Sequence, residues 1–193
     1  MGQSQEGKRA WWLTWTFCVG VVLGGGAVFS VLELPYLNWR SAAPPIDERP
    51  LIIRHDAKGD GRFQAPRSGG RQHRGIDLAA AIGDPVRALR SGRVLEVGTH
   101  RGFGKFVKLE HRGGLRSLYA HLDTIEVEPG AHIRQGQRIG TVGKTGNARS
   151  PVMTPHLHVE VSKDGRMIDP ASLGLHVVLP HDSEVTADAS GGE

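Results

Sequence analysis

His156-Leu157-His158-Val159-Glu160-Val161 alternates polar and apolar residues one for one. In a β-strand that period puts His156, His158 and Glu160 on one face and Leu157, Val159 and Val161 on the other. A histidine facing the core would break the alternation, and neither does. Asp164-Gly165 then marks a hairpin turn. Outward from this strand the same pattern recurs. Val86 to Leu89 and Val94 to Val97 flank a Ser91-Gly92 turn, and Phe106 to Glu110 alternates until Arg112-Gly113-Gly114 stops it. Leu118, Ala120 and Leu122 fall on one face of a further strand, with Tyr119 and His121 on the other. Several short strands with regular turn signals predict a mainly β fold, an open antiparallel barrel or sandwich with little helix.

Two more segments join the strand at His156. They are His73-x-x-x-Asp77, and His121 within Leu118-Tyr119-Ala120-His121-Leu122. Together the three supply four imidazoles and one carboxylate, the ligand types that hold a zinc ion and leave one coordination position free. An isolated His-x-His is more often two surface histidines. Three segments in one order carry the metal reading. Glu160 shares the histidine face, where it either orients a ligand or sits as a solvated strand carboxylate. His55, His100, His111, His132, His176 and His181 belong to none of these segments and are expected to be solvent-exposed or hydrogen-bonded.

Further segments accompany them in the same order. They are Gly83-Asp84-Pro85-Val86, Ser91-Gly92-Arg93-Val94, Gly102-Phe103-Gly104, Gly136-Gln137-Arg138-Ile139-Gly140, Gly143-Lys144-Thr145-Gly146 and Asp169-Pro170. With His73-Arg74-Gly75-Ile76-Asp77-Leu78-Ala79, Tyr119-Ala120-His121-Leu122 and His156-Leu157-His158-Val159-Glu160, the stretch from about residue 66 to 173 resembles the LytM/lysostaphin-type zinc metalloendopeptidases. The resemblance implies an open antiparallel β architecture crossed by a groove. It implies one Zn2+ per chain held by His73, Asp77 and His158, with His121 and His156 as catalytic histidines that do not bind the metal. It also implies hydrolysis of peptide cross-links in bacterial peptidoglycan. The alternative is a catalytically silent LytM-type domain that binds and activates a cell-wall amidase. Degenerate relatives of that kind lack ligands, whereas all five positions are filled here. The chain departs from the family between Gly146 and His156, where nine residues replace a connection of about five. The upstream segment is recognisable only loosely, in Phe63-Gln64-Ala65-Pro66-Arg67, and whether the Asp47 to Arg71 stretch controls access to the metal is decided by no sequence rule.

The remaining sequence predicts an anchored, outward-facing domain. Residues 1–9 form a short cytoplasmic N-terminus, and residues 10–33 a transmembrane anchor, since Ala10 to Leu32 holds no charge over a length that spans a bilayer. Trp11, Trp12 and Trp15 at one end and Tyr36 and Trp39 at the other fit interfacial belts, and Lys8 and Arg9 place the N-terminus inside. Gly20-x-x-x-Gly24 offers a helix-packing face. The lone Cys18 excludes an internal disulfide. Residues 34–50, with four prolines, read as a linker, 51–180 as the metallopeptidase domain, and 181–193 as a disordered acidic tail. The expected location is the inner membrane, single-pass, with the domain in the periplasm or against the wall. Residues 51–168 hold 20 Lys plus Arg against 11 Asp plus Glu, a balance of +9 where the whole chain has +4. That surplus suits an anionic wall or phospholipid surface. No nucleic-acid-binding motif is present. Peptidoglycan peptide stems, the inner membrane, and proteins of wall synthesis or division are the expected partners, and a D-Ala to diaminopimelate cross-link the expected bond.

Overall fold

The alternation at His156 holds in three dimensions. In the computed structural model, which describes residues 41–180, Leu157, Val159 and Val161 are fully buried in the main core, while His156, His158 and Glu160 line a groove. The proposed anchor at 10–33, the segment before it, residues 34–40 of the linker and the tail at 181–193 all lie outside the described residues. Among the described residues no helix is long and apolar enough to cross a membrane.

The strands in chain order are β1 (Leu51–Ile52), β2 (His55–Asp56), β3 (Gly59–Asp60), β4 (Gly75–Ala79), β5 (Pro85–Arg87), β6 (Gly92–His100) and β7 (Gly104–His111). They continue with β8 (Leu115–Ile125), β9 (His132–Ile133), β10 (Arg138–Val142), β11 (His156–Lys163), β12 (Arg166–Ile168) and β13 (Val177–Val178). The main sheet runs β12-β11-β8-β7-β6-β9, with every neighbouring pair antiparallel. Its two end strands do not meet, so the sheet stays open and no barrel closes. The mainly β expectation therefore holds in its open form.

Strand β11 has three partners. Its first half pairs with β4, its last residues with β12, and its other edge with β8. This register sets Asp77 directly opposite His158. The approach of β4 depends on Gly75, because a Cβ there would run into the Val159 carbonyl. Asp164 and Gly165 both take positive φ in the β11–β12 turn, as a two-residue hairpin requires.

Three local expectations change. The strands flanking Ser91-Gly92 do not pair with each other: β5 pairs with β10, and β6 with β7 and β9. The N–H groups between them are taken elsewhere, Ala88 donating to the Gln137 carbonyl and Leu89 to the Tyr119 hydroxyl. Strand β8 also breaks its alternation. Tyr119 and Leu122 lie in the main core, whereas Leu118 and Ala120 join Phe103 and Phe106 on the other side. The cause is His121, whose φ of 64° shifts the face of everything after it, beside register shifts in both neighbouring strand pairs. Finally, the described part of the 34–50 stretch is not free chain. Ala42 and Ile46 are buried in the core, and the Ala42, Ala43 and Arg87 N–H groups bond the Leu173, Leu89 and Pro45 carbonyls. Prolines removed the helical signal there without removing the packing. Strand β1 then pairs in parallel with β13, which fastens the two ends of the domain together.

Candidate metal centre

Each predicted ligand arrives by a different route. His73 precedes β4, and its backbone is pinned by bonds between His73 N and the Ala65 carbonyl and between Gln64 N and the His73 carbonyl. Its Nδ1 lies 2.8 Å from the Arg62 carbonyl, so Nδ1 donates and Nε2 is left as a lone pair. Asp77 comes from β4 and His158 from β11. His73 Nε2 is 3.1 Å from His158 Nδ1 and 3.2 Å from Asp77 Oδ1, and His158 Nδ1 is 2.7 Å from Asp77 Oδ1. On the far side of the His158 ring, Nε2 points at Glu160 Oε1, 3.4 Å away. Among the described residues these three make the one group disposed to hold a metal ion.

The donor set fits zinc. Bonds of about 2.0–2.1 Å in tetrahedral geometry would set the ligand atoms about 3.3 Å apart, close to the two longer separations and a small opening beyond the third. Two neutral imidazoles and one carboxylate leave a net positive ion with a position free. All three side chains are buried, and the Glu160 carboxylate behind His158 is the kind of partner that fixes a ligating ring.

His121 and His156 complete the wall. Their rings stand edge to face with centroids 4.9 Å apart, and His121 lies 5.8 Å from His158. The two are finished alike. His121 Nδ1 meets the Thr145 carbonyl at 2.9 Å and His156 Nδ1 meets the Thr154 carbonyl at 2.7 Å. Each carbonyl can only accept, so each Nδ1 carries the proton and each Nε2 is a free base. His156 Nε2 comes within 4.0 Å of Asp77 Oδ1. His121 holds its place at a backbone conformation that costs a non-glycine residue on the order of 1 kcal/mol. Such strain persists where the surroundings over-determine it, here by the bond from His121 N to the Phe103 carbonyl.

Electrostatics separates these residues. Burial pushes His121 down to about 3, reinforced by the neighbouring His156 and His158, and burial lowers His156 too. Both stay neutral near pH 7. Burial also works against charge on His158, but hydrogen bonds to Asp77 and Glu160 outweigh it and push the ring up to about 9. Burial would raise Asp77, yet the hydrogen bond with His158 leads the causes that hold it well below the usual carboxylate range. A proton and a divalent cation thus compete for the same His158 nitrogen.

The site sits in a groove of about 740 Å³. Its lining includes four cations, Lys58, Arg67, Arg71 and Arg74, together with His100, Phe103, Asn147 and Met153. The long connection after Gly146 thus walls the groove. The segment upstream of Arg71 supplies Lys58 and Arg67 to that lining. Three contributors escaped the sequence. Arg54 is buried against Asp77, Phe103 stacks on His158 at 5.9 Å, and His100 packs on Phe103 at 5.5 Å. Only Phe103, between two glycines, left a signal that could have found it.

An open β sheet that sets a His-Asp-His group and two further imidazoles in one groove defines a LytM-type domain of the metallopeptidase class. Residues 71–170 match peptidase family M23, more than half of the chain, and the chain belongs to that family. Over 105 residues it is 40% identical to the DD-carboxypeptidase/endopeptidase Mpg of Neisseria meningitidis, covering 54% of this chain and 23% of that protein. It is 33% identical over 99 residues to the murein hydrolase activator NlpD of Escherichia coli, covering 51% and 25%. The chain thus spans about a quarter of the length of these curated relatives. Among solved structures, a zinc-containing peptidase from Vibrio cholerae superposes with a TM-score of 0.56 at 31% identity, over 68% of this chain and 39% of that one.

Proposed function

We propose that this chain is a zinc metalloendopeptidase that hydrolyses peptide cross-links of bacterial peptidoglycan. It works from the inner membrane, anchored through residues 10–33, with the domain in the periplasm. The observation that carries the proposal is the convergence of five buried side chains on one groove. Three of them, His73, Asp77 and His158, lie within a ligand-to-ligand distance of one another, and His121 and His156 present unused Nε2 atoms beside them. Zinc held there supplies a water activated near neutral pH and polarises a carbonyl. The chain's own part is to position and to move protons. His156 and His121, neutral and with Nδ1 fixed to carbonyls, are set to accept a proton at Nε2, and the partner that is then protonated can donate to the leaving amine. The cations in the groove lining favour a peptide that carries carboxylates, which suits peptide stems and a D-Ala to diaminopimelate bond.

The similarity to NlpD supports a second reading, a domain that activates a separate wall amidase. One experiment divides the two. The full chain, purified in mild detergent, is incubated with sacculi with and without a zinc chelator, and released muropeptides are identified by mass spectrometry. Loss of cross-linked dimers that the chelator prevents is the expected result. Intact dimers, with zinc bound to the protein, would transfer the assignment to the activator.

A further inference from the structure

Asp77 divides its two oxygens. Oδ1 faces His73 and His158, while Oδ2 accepts from Arg54 Nη2 at 2.9 Å and, more weakly, from Arg67 at 3.4 Å. The Arg54 main chain grips the same residue, donating from its N–H to the Asp77 carbonyl at 2.8 Å. The other end of the guanidinium, Nη1, reaches Asp56 Oδ1 at 2.6 Å. Asp56 in turn accepts with Oδ2 from the N–H of Thr154 at 2.8 Å, and the Thr154 carbonyl is the one that receives the Nδ1 proton of His156. One ion pair therefore touches a metal ligand directly and a catalytic histidine through a single residue of main chain.

Stability alone is a poor reason for this arrangement. Arg54 is 3% exposed and its Nε has no hydrogen-bond partner. Apolar residues of similar volume commonly serve a core as well as a buried ion pair does. What an apolar residue cannot do is stop the Asp77 carboxylate turning about its Cβ–Cγ bond, or hold the Thr154 N–H. A planar guanidinium with two forks in use does the first, and Asp56 does the second. The depressed titration of Asp56, held at about 2 against burial by Arg54, Thr154 and Lys58, agrees with a carboxylate that keeps its charge throughout.

We propose that Arg54 and Asp56 are a coupled pair of positioning residues, Arg54 aiming the ligand oxygen of Asp77 and Asp56 fixing the ring of His156 through Thr154. The His156 half rests on the hydrolase reading, whereas the Asp77 half needs only a bound cation.

The test uses the full chain and the variants Arg54→Met, Arg54→Lys, Asp56→Ala and Asp56→Asn. Zinc affinity is measured by competition with a chromophoric chelator, the melting temperature without zinc, and kcat and KM on cross-linked muropeptides. Arg54→Met is expected to raise the zinc Kd about 10- to 100-fold, the usual cost of losing a group that orients a ligand. Arg54→Lys keeps the charge but one contact point, so it recovers melting temperature more than zinc affinity. This variant also carries the test should Arg54→Met fail to fold. Asp56→Ala is expected to lower kcat about tenfold at unchanged KM, with Asp56→Asn, which keeps an acceptor for Thr154, restoring most of it. Variants that lose melting temperature while zinc Kd and kcat stay within twofold of wild type would overturn the proposal and leave a purely structural pair. If the parent chain binds zinc without cleaving, the hydrolase reading fails, and the zinc measurement still decides the role of Arg54.

Discussion

Strand β8 carries a buried polar cluster on each side, and the two are finished differently. On the core side, Ser117 and Tyr119 meet His111. Its Nδ1 bonds the Ser91 carbonyl at 3.0 Å and its Nε2 the Ser117 hydroxyl at 2.8 Å. The Ser117 hydroxyl also lies 3.0 Å from the Tyr119 hydroxyl, which receives the Leu89 N–H. Both His111 ring nitrogens are bonded, and burial pushes the Tyr119 hydroxyl up to about 12, far from any working pH. On the groove side, His121 and His156 are equally buried, but each has one nitrogen fixed and one free. Burial of a histidine therefore says little about function. An unsaturated nitrogen aimed at a shared point says a great deal.

The largest effect should come from exchanging the two clusters' roles by mutation. His158→Ala is expected to abolish zinc binding and reduce cleavage by at least about 10³-fold, since the metal-activated nucleophile is lost. Its zinc-free melting temperature should fall as well, because the buried ring bonds Asp77 and Glu160. His111→Ala should separate the two properties, retaining zinc while losing about 3 kcal/mol of stability through a cavity and stranded polar partners. Chelator competition and thermal melts on both variants check this. A His111→Ala protein that melts like wild type but no longer binds zinc would erase the distinction.

A second effect, of about 10² over two pH units, belongs to the groove cluster alone. The His158 ring stands at about 9, and zinc takes its neutral form. Below that pH each zinc displaces one proton, so affinity should rise about tenfold per pH unit and level off near 9. A plateau already reached near 6.5, the ordinary histidine value, would mean that Asp77 and Glu160 do not hold the ring charged.

His121 sharpens the comparison differently, because its side chain and its backbone make separate demands. Asn and Val at this position both remove the imidazole, and each should cost about 10²-fold in kcat. Asn tolerates the left-handed backbone and Val does not, so the Val variant should be less stable by about 1–2 kcal/mol more. Equal stabilities in denaturant melts would show that the conformation is not strained.

That backbone feature also marks where sequence reading stopped. The alternation of His156 to Val161 fixed a strand, a face and a pair of imidazoles, because period two is a property of backbone geometry and survives folding unchanged. The same rule applied to Leu118–Leu122 put His121 on the face of Tyr119. It failed because a positive φ at a non-glycine residue is set by tertiary contacts, here with Phe103, and the mild preference of histidine for that region is too weak to override the alternation. Arg54 was hidden for a related reason. It looked like one more cation in a basic domain, and only the fold brings it onto Asp77, 23 residues further along. The packed stretch at 41–50 was obscured by prolines, which erase periodicity whether or not the chain lies on a core.

The smallest effect lies in the closed cluster and concerns pH. Burial lowers the His111 pKa and Arg90 adds to this, while the Ser91 carbonyl and Glu110 pull the other way without reversing it. A base whose folded value lies below its unfolded value binds protons more readily once unfolded. The contribution is therefore constant above about 6.5, the unfolded value, and stability is lost as pH falls below it. His111→Gln removes the titration while keeping a side chain that hydrogen-bonds. Its zinc-free melting temperature should start below that of wild type at pH 7.5 and decline less steeply toward pH 5. Parallel curves would mean that His111 takes up no extra proton on unfolding, and that the acid sensitivity of the domain belongs to the groove histidines instead.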